Sequence, residues 1–165
     1  MNPFLPDKIC ETICDLTPEI LSNCGIEVLL MDYDNTIVPY TTDAPAQAVM
    51  NWFSEIKNAG IRVCIVSNTK RGRAVKFCSE QGLDCITRAK KPFQRGIRIA
   101  KKRYERHIGH IALVGDQIYT DVLGANLGGL FSILVRPIHL HNIWLKLRHI
   151  GELPWIALRK RRNAK

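Results

Sequence analysis

Two carboxylates stand one residue apart in the segment Met31-Asp32-Tyr33-Asp34-Asn35-Thr36. The apolar run Ile26-Glu27-Val28-Leu29-Leu30 precedes them and reads as a buried strand. Like charges at that separation repel, and burial adds to the cost unless a cation lies between them. Oxygen ligands at a strand end suit magnesium, which takes few protein ligands and leaves positions for phosphate oxygens. The pattern points to magnesium-dependent phosphoryl chemistry in which one carboxylate attacks phosphorus. Asp and Asn also favour solvated turns, so the motif needs support from elsewhere in the chain.

Three further segments supply it. Ile61 to Val66 reads as a second apolar strand and runs into Ser67-Asn68-Thr69. A hydroxyl there can donate to a phosphoryl oxygen, although the same residues also make an ordinary helix start. Lys90-Lys91-Pro92 offers an ammonium group that would offset charge on the attacking carboxylate and the phosphoryl oxygens. A lysine pair alone is more often solvated surface. His110 to Val114 reads as a third strand and runs into Gly115-Asp116, with Asp121 five positions later. Glycine there lets the backbone turn tightly. Asp116 and Asp121 could complete a metal shell, directly and through water; an exposed helical position is the alternative for Asp121.

The elements that must position these groups alternate between strand and helix, which predicts a parallel sheet covered on both faces. Asp7 to Cys14 reads as a short helix. Thr17 caps another, with Pro18 at its first position and Gly25 as its stop. Ala44 to Ala59 carries Val49, Trp52, Phe53 and Ile56 at helical spacing, and these read as core. Gly72 to Gln81 reads as a helix, Leu83 to Thr87 as a short strand and Pro92 to Arg106 as a basic helix. Ile118 to Leu127 reads as a helix, and Phe131 to Val135 as the last strand. In open sheets of this kind, ligands bind beyond the carboxyl ends of the strands. Asp32, Ser67 and Asp116 all fall at such ends.

Taken together, the four segments resemble the haloacid dehalogenase (HAD) superfamily of phosphatases, in the family's motif order. Leu16-Thr17-Pro18-Glu19-Ile20-Leu21, Gly25-Ile26, Asp34-Asn35-Thr36, Gly115-Asp116-Gln117 and Thr120-Asp121 further resemble the YqeG-like branch of subclass IIIA. The likeness covers roughly residues 3 to 140. It implies an α/β fold with a single Rossmann-like parallel sheet sandwiched by helices. It also implies Asp32 as a nucleophile forming an aspartyl-phosphate, and Asp34 as the acid and then the base. Ser67 would bind the transferring phosphoryl group, and Lys91 matches the family lysine better than Lys90. Magnesium (Mg2+) would be held by Asp32, the Asp34 backbone carbonyl and Asp116, with Asp121 in an outer shell. Asn35, Thr36 and Asn68 would support the loops. The branch is related to phosphatidylglycerophosphate phosphatases, which implies a phospholipid phosphate as substrate. Family members often insert a cap module between motifs. Here Thr36 to Ser67 has room for one helix, and Thr69 to Lys91 for one helix and a short strand. The chain therefore reads as capless, with a site open to bulky substrates.

A chain of 165 residues is most simply one domain, residues 1–165, with a substantial core. Hydrophobic residues make up 46% and charged residues 24%, within the ordinary range for a soluble protein. No run of about 18 apolar residues occurs, so no spanning helix is expected. The first residues lack a basic start followed by an apolar run, so no secretory signal is expected and a cytoplasmic setting is. The six cysteines form no Cys-x-x-Cys pair and read as free thiols. Cys10 and Cys14 would share a helix face.

The net charge of +9 is unevenly placed. Arg88 to Arg106 holds nine Lys or Arg against one acid, and Arg136 to Lys165 holds eight against one. Within the basic segment 140–165, Leu140, Ile143, Trp144 and Leu147 stand at helical spacing, and Gly151 and Pro154 read as breaks. Such a segment could pack on the sheet, lie on an anionic membrane surface as a peripheral contact, or touch nucleic acid. Two other functions stay open: a ribosome- or RNA-associated binding module on the same fold, and a phosphotransferase or phosphoprotein phosphatase.

Overall fold

Six parallel strands form one open sheet in the order β1-β6-β5-β2-β3-β4. The computed structural model describes residues 2–42, 44–69, 72–105, 110–139 and 150–159. The strands are β1 (Lys8–Cys10), β2 (Val28–Met31), β3 (Arg62–Val66), β4 (Asp84–Ile86), β5 (Ile111–Gly115) and β6 (Phe131–Val135). The helices between them are α1 (Pro18–Asn23), α2 (Gln47–Asn58), α3 (Gly72–Gln81), α4 (Arg95–Arg103) and α5 (Leu123–Leu127). A 3-10 turn, Ile13–Asp15, follows β1, and a π-helical turn, Ile118–Val122, leads into α5. Residues 32–61 thus hold one helix, and no inserted module occurs among the described residues.

The central strands are buried on both faces, which explains their unbroken apolar runs. Alternate side chains divide between two cores. Leu29, Met31, Val63, Ile65, Ala112 and Val114 face Leu21 of α1, Trp52, Phe53 and Ile56 of α2, and Ala74 and Phe77 of α3. Val28, Leu30, Cys64, Val66, Ile111 and Leu113 face Ile97 and Ala100 of α4 and Ala125 of α5. Each fully buried aliphatic side chain of this kind contributes about 1.5–3 kcal/mol. Trp52 satisfies its indole N–H on the Leu16 carbonyl at 2.8 Å.

Register brings the motif residues together. Met31 pairs with Ile65 on one side and Val114 on the other. Asp32 is therefore level with Val66 and Gly115, and Ser67 and Asp116 stand one residue further along.

Local expectations hold for α1, where Thr17 Oγ1 accepts from the Ile20 N–H at 3.2 Å and Gly25 ends the helix at φ +68°. They fail for Asp7 to Cys14. That segment is an edge strand and then a 3-10 turn, so Cys10 and Cys14 share no helix face. The cause is tertiary. Asp7 Oδ2 accepts from both the N–H and the hydroxyl of Ser132 at 2.9 Å, which draws the following residues along β6. All six cysteines are free thiols, and burial pushes Cys64 up to about 12.

Residues 150–159 form one more helix, running through both Gly151 and Pro154. Neither residue breaks it, because side-chain anchors hold it to the body. Glu152 accepts from the Ile118 N–H at 2.8 Å, and Trp155 stacks on Phe4 with ring centroids 5.2 Å apart. Arg159 donates to the Asp7 carbonyl. The expected stripe at Leu140, Ile143, Trp144 and Leu147 lies outside the described residues. No helix among the described residues is long and apolar enough to cross a membrane.

Candidate active site

Carboxylate oxygens of Asp32, Asp116 and Asp121 lie within 4.8 Å of one another, and all three residues are buried. Each arrives by a different route. Asp32 is the first residue past β2, and its N–H donates to the Val114 carbonyl at 2.9 Å. Asp116 follows β5. Asp121 comes from the π-helical turn, where its Oδ2 accepts from the Gln117 N–H at 3.2 Å.

Lys91 reaches this cluster from the loop between β4 and α4. Its Nζ lies 2.7 Å from Asp32 Oδ1 and 2.6 Å from Asp121 Oδ1, and its side chain is 1% exposed. Asn68 fixes the loop with both ends of its amide. Its Oδ1 accepts from the Lys91 N–H at 2.7 Å, and its Nδ2 donates to the Lys91 carbonyl at 2.9 Å. Arg88 and Lys90, on either side of Ala89, have φ of +51° and +57°. Non-glycine residues pay a steric cost there, and such strain collects at functional loops.

The Asp32 loop is held by its own polar residues. Asn35 sits at φ +67°, which Asn tolerates better than most residues. Its Nδ2 donates to Asp116 Oδ2 at 3.3 Å, and its Oδ1 accepts from the His139 N–H at 2.9 Å. Thr36 Oγ1 donates to Asp116 Oδ1 at 3.4 Å. Both residues, expected to support the loops, therefore touch the carboxylate delivered by β5. Ser67 is buried just past β3, and its Oγ accepts from the Thr69 N–H at 3.1 Å.

A cleft of about 420 Å³ opens over these groups, lined by Asp32, Asp34, Ser67, Asn68 and Lys91 together with Tyr40, Thr69, Gln117 and Thr120. All the nominated residues thus converge on one locality. Three contributors were not anticipated. Arg73, at the start of α3, places Nη2 3.9 Å from Asp34 Oδ1. Tyr40 lines the cleft, and Glu152 caps the turn that carries Asp121. Arg73 is one of several basic residues in its stretch, so composition does not single it out. Glu152 acts across 34 positions, a separation that local patterns do not register.

Electrostatics follow from burial. Desolvation pushes Asp32 up to about 6, against the opposing pull of Lys91 and with help from the charges on Asp121 and Asp34. Burial pulls Lys91 down, but Asp121 and Asp32 outweigh it and hold the ammonium above its ordinary range. Lys91 is therefore charged at neutral pH. One ammonium against three buried carboxylates leaves a deficit of positive charge in an all-oxygen cradle. That donor set fits a hard divalent cation and does not fit a soft one.

A HAD-hydrolase-like family model matches residues 88–137, which carry Lys91, Asp116 and Asp121. The chain is 36% identical over 135 residues to the probable phosphatase YqeG of Bacillus subtilis (strain 168), covering 82% of this chain and 78% of that protein. The chain belongs to the HAD-like phosphatases, in the group that contains YqeG. Two solved structures share the fold at 14% identity and a TM-score of 0.55 each. One, an uncharacterised protein from Listeria monocytogenes serotype 4b, covers 77% of this chain and 99% of its own. The other, a hypothetical protein from Xanthomonas campestris, covers 84% and 79%.

Proposed function

We propose that this phosphatase is a magnesium-dependent phosphomonoester hydrolase working through a phosphorylated Asp32. The observation that carries the reading is the position of Lys91 Nζ, in contact with Asp32 and Asp121 beside the Asp116 carboxylate. Asp32 attacks phosphorus, and the bond to the leaving oxygen breaks. Asp34 gives that oxygen a proton, then takes one from the water that hydrolyses the acyl phosphate. Lys91 and the Ser67 hydroxyl stabilise the phosphoryl oxygens. Asp32, Asp116 and the Asp34 carbonyl would hold magnesium, with Asp121 supporting Lys91. The cation would supply charge neutralisation of the phosphoryl group.

Residues 1–165 act as one catalytic domain in this reading, since all six strands share a sheet. The absence of an inserted module among the described residues favours a phosphate carried on a bulky group, such as phosphatidylglycerophosphate. The test is hydrolysis of p-nitrophenyl phosphate with and without magnesium, followed by a panel of lipid, nucleotide, sugar and protein phosphates. Turnover that requires magnesium and vanishes in Asp32→Asn supports the proposal. Unaltered turnover in Asp32→Asn refutes it.

A further inference from the structure

Arg73 lies outside the motifs yet meets the site at several points. Its Nη2 donates to the carbonyls of Pro39 at 3.0 Å and Thr42 at 2.7 Å, and its Nη1 donates to the Tyr40 carbonyl at 3.2 Å. The same Nη2 is 3.9 Å from Asp34 Oδ1. The guanidinium carbon stands 5.6 Å from the centroid of the Tyr33 ring, which packs in turn on Phe77 of the same helix, α3. The Arg73 side chain is 14% exposed and that of Asp34 is 11% exposed. One planar, five-donor cation thus joins α3, the Asp32–Asp34 loop and the segment 39–42, which has no regular structure of its own. Tyr40, on that segment, lines the cleft.

We propose that Arg73 is a positioning residue for leaving-group protonation. It holds the Asp34 carboxyl and the wall formed by residues 39–42 in a fixed relation, so that the proton donor faces the departing oxygen. The inference rests on the reading of Asp34 given above. In the step concerned, the bond from phosphorus to the leaving oxygen breaks as the bond to Asp32 forms. The proton on Asp34 passes to the leaving oxygen. A poor leaving group, such as an alkoxide, depends on that proton. A good one, such as p-nitrophenolate, departs without it. A residue that merely stabilises the fold would lower both rates alike. A residue that aims Asp34 lowers them unequally. Lysine has the charge but lacks the fork that bonds three carbonyls while its charge stands 3.9 Å from a carboxylate.

The experiment compares wild type, Asp34→Asn, Arg73→Ala and Arg73→Lys on p-nitrophenyl phosphate and on an alkyl phosphate, glycerol 3-phosphate, with thermal melts of each variant. Arg73→Ala is expected to lose about 100-fold in kcat on the alkyl phosphate and much less on the aryl one. Asp34→Asn should show the same tilt, Arg73→Lys a smaller one, and KM should change little. Equal losses on both substrates, or none, overturn the proposal. If Arg73→Ala does not fold, Arg73→Lys decides the matter: a tilt supports the proposal and a flat profile overturns it. A wild type that hydrolyses neither substrate, nor any of the phosphate panel, sinks the hydrolase reading and this inference with it. Tilt missing in Asp34→Asn while wild type is active removes Asp34 as the donor, and the inference fails while the hydrolase reading stands.

Discussion

Gly115 lies directly against Asp121: a Cβ on Gly115 would stand 2.3 Å from the Asp121 carboxylate. The glycine before Asp116 is therefore needed for space. It does not occupy the left-handed region, unlike Gly25, Gly60, Gly82 and Gly129, so the tight turn expected of it is not what its lack of a side chain serves. Replacing it with alanine must displace the side chain that meets Lys91. Gly115→Ala is expected to cost about 1–3 kcal/mol in stability, as overpacking does, and to lower phosphatase activity. Urea melts beside kcat measurements check this, and an alanine variant with wild-type turnover contradicts it.

Lys91 sits among charges that cannot readily ionise together without it. In Lys91→Met, Asp32 and Asp121 lose a 2.7 Å and a 2.6 Å contact while remaining buried. Removing one partner of a buried ion pair costs about 3–5 kcal/mol, because the remaining charge is uncompensated. The variant should unfold at lower urea in chelator and recover part of the loss on adding magnesium. Equal stability in chelator for the two proteins would show that the ammonium contributes little.

The raised pKa of Asp32 has a definite sign. Its folded value, about 6, lies above the ordinary 3.8. Protonated Asp32 therefore favours the metal-free fold below pH 4, and this contribution is lost as pH rises through about 6. The magnesium proposed to bind Asp32 would compete with that proton. Affinity measured by titration calorimetry should weaken about tenfold per pH unit below pH 6 and level off above it. A flat affinity between pH 5 and pH 7 would argue that Asp32 is not a ligand.

Asn68 was expected only to support its loop, and its two bonds to Lys91 say how. Asn68→Ala removes both half-buried bonds to the Lys91 N–H and carbonyl, at a cost of about 0.5–1.5 kcal/mol each, since water can reach them. Turnover should fall more than stability does, because the ammonium loses its aim. Asn68→Asp keeps the acceptor for the Lys91 N–H and should retain more activity than Asn68→Ala. Ranking the variants by kcat on p-nitrophenyl phosphate decides the point.

Glu152 connects the helix at 150–159 to the site. Its carboxylate accepts from the first N–H of the π-helical turn that carries Asp121, where an acidic group is also favoured by the helix dipole. Glu152→Ala is expected to destabilise the protein by about 1–3 kcal/mol and to lower activity. Deleting residues 150–165 should do at least as much, exposing Phe4 and Tyr119. A truncated chain with full activity and an unchanged melt would show that the helix is an accessory.

The strands and the acidic groups at their ends were legible because burial on both faces leaves continuous apolar runs. A charged residue that ends such a run is conspicuous. Lys91 was legible only beside the other motifs, since one lysine in a basic stretch carries no local signal. β1 does not show in the sequence because three residues hold too little periodicity, and a side-chain pair spanning 125 positions, Asp7 with Ser132, determines their conformation. Gly151 and Pro154 misled for a related reason: intrinsic preference yields where Glu152, Trp155 and Arg159 make long-range contacts. Arg73 leaves no mark in the sequence because its partners are mostly backbone carbonyls, which every residue offers.

Asn35 and Asp116, joined by a hydrogen bond, are 81 positions apart along the chain. A nascent polypeptide therefore has no complete acidic cradle until β5 and the turn after it have left the ribosome and β5 has inserted beside β2. Until then Asp32 lacks the Asp116 and Asp121 carboxylates that lie within 4.8 Å of it in the fold, and the phosphatase site proposed here is incomplete however long the first half of the chain waits.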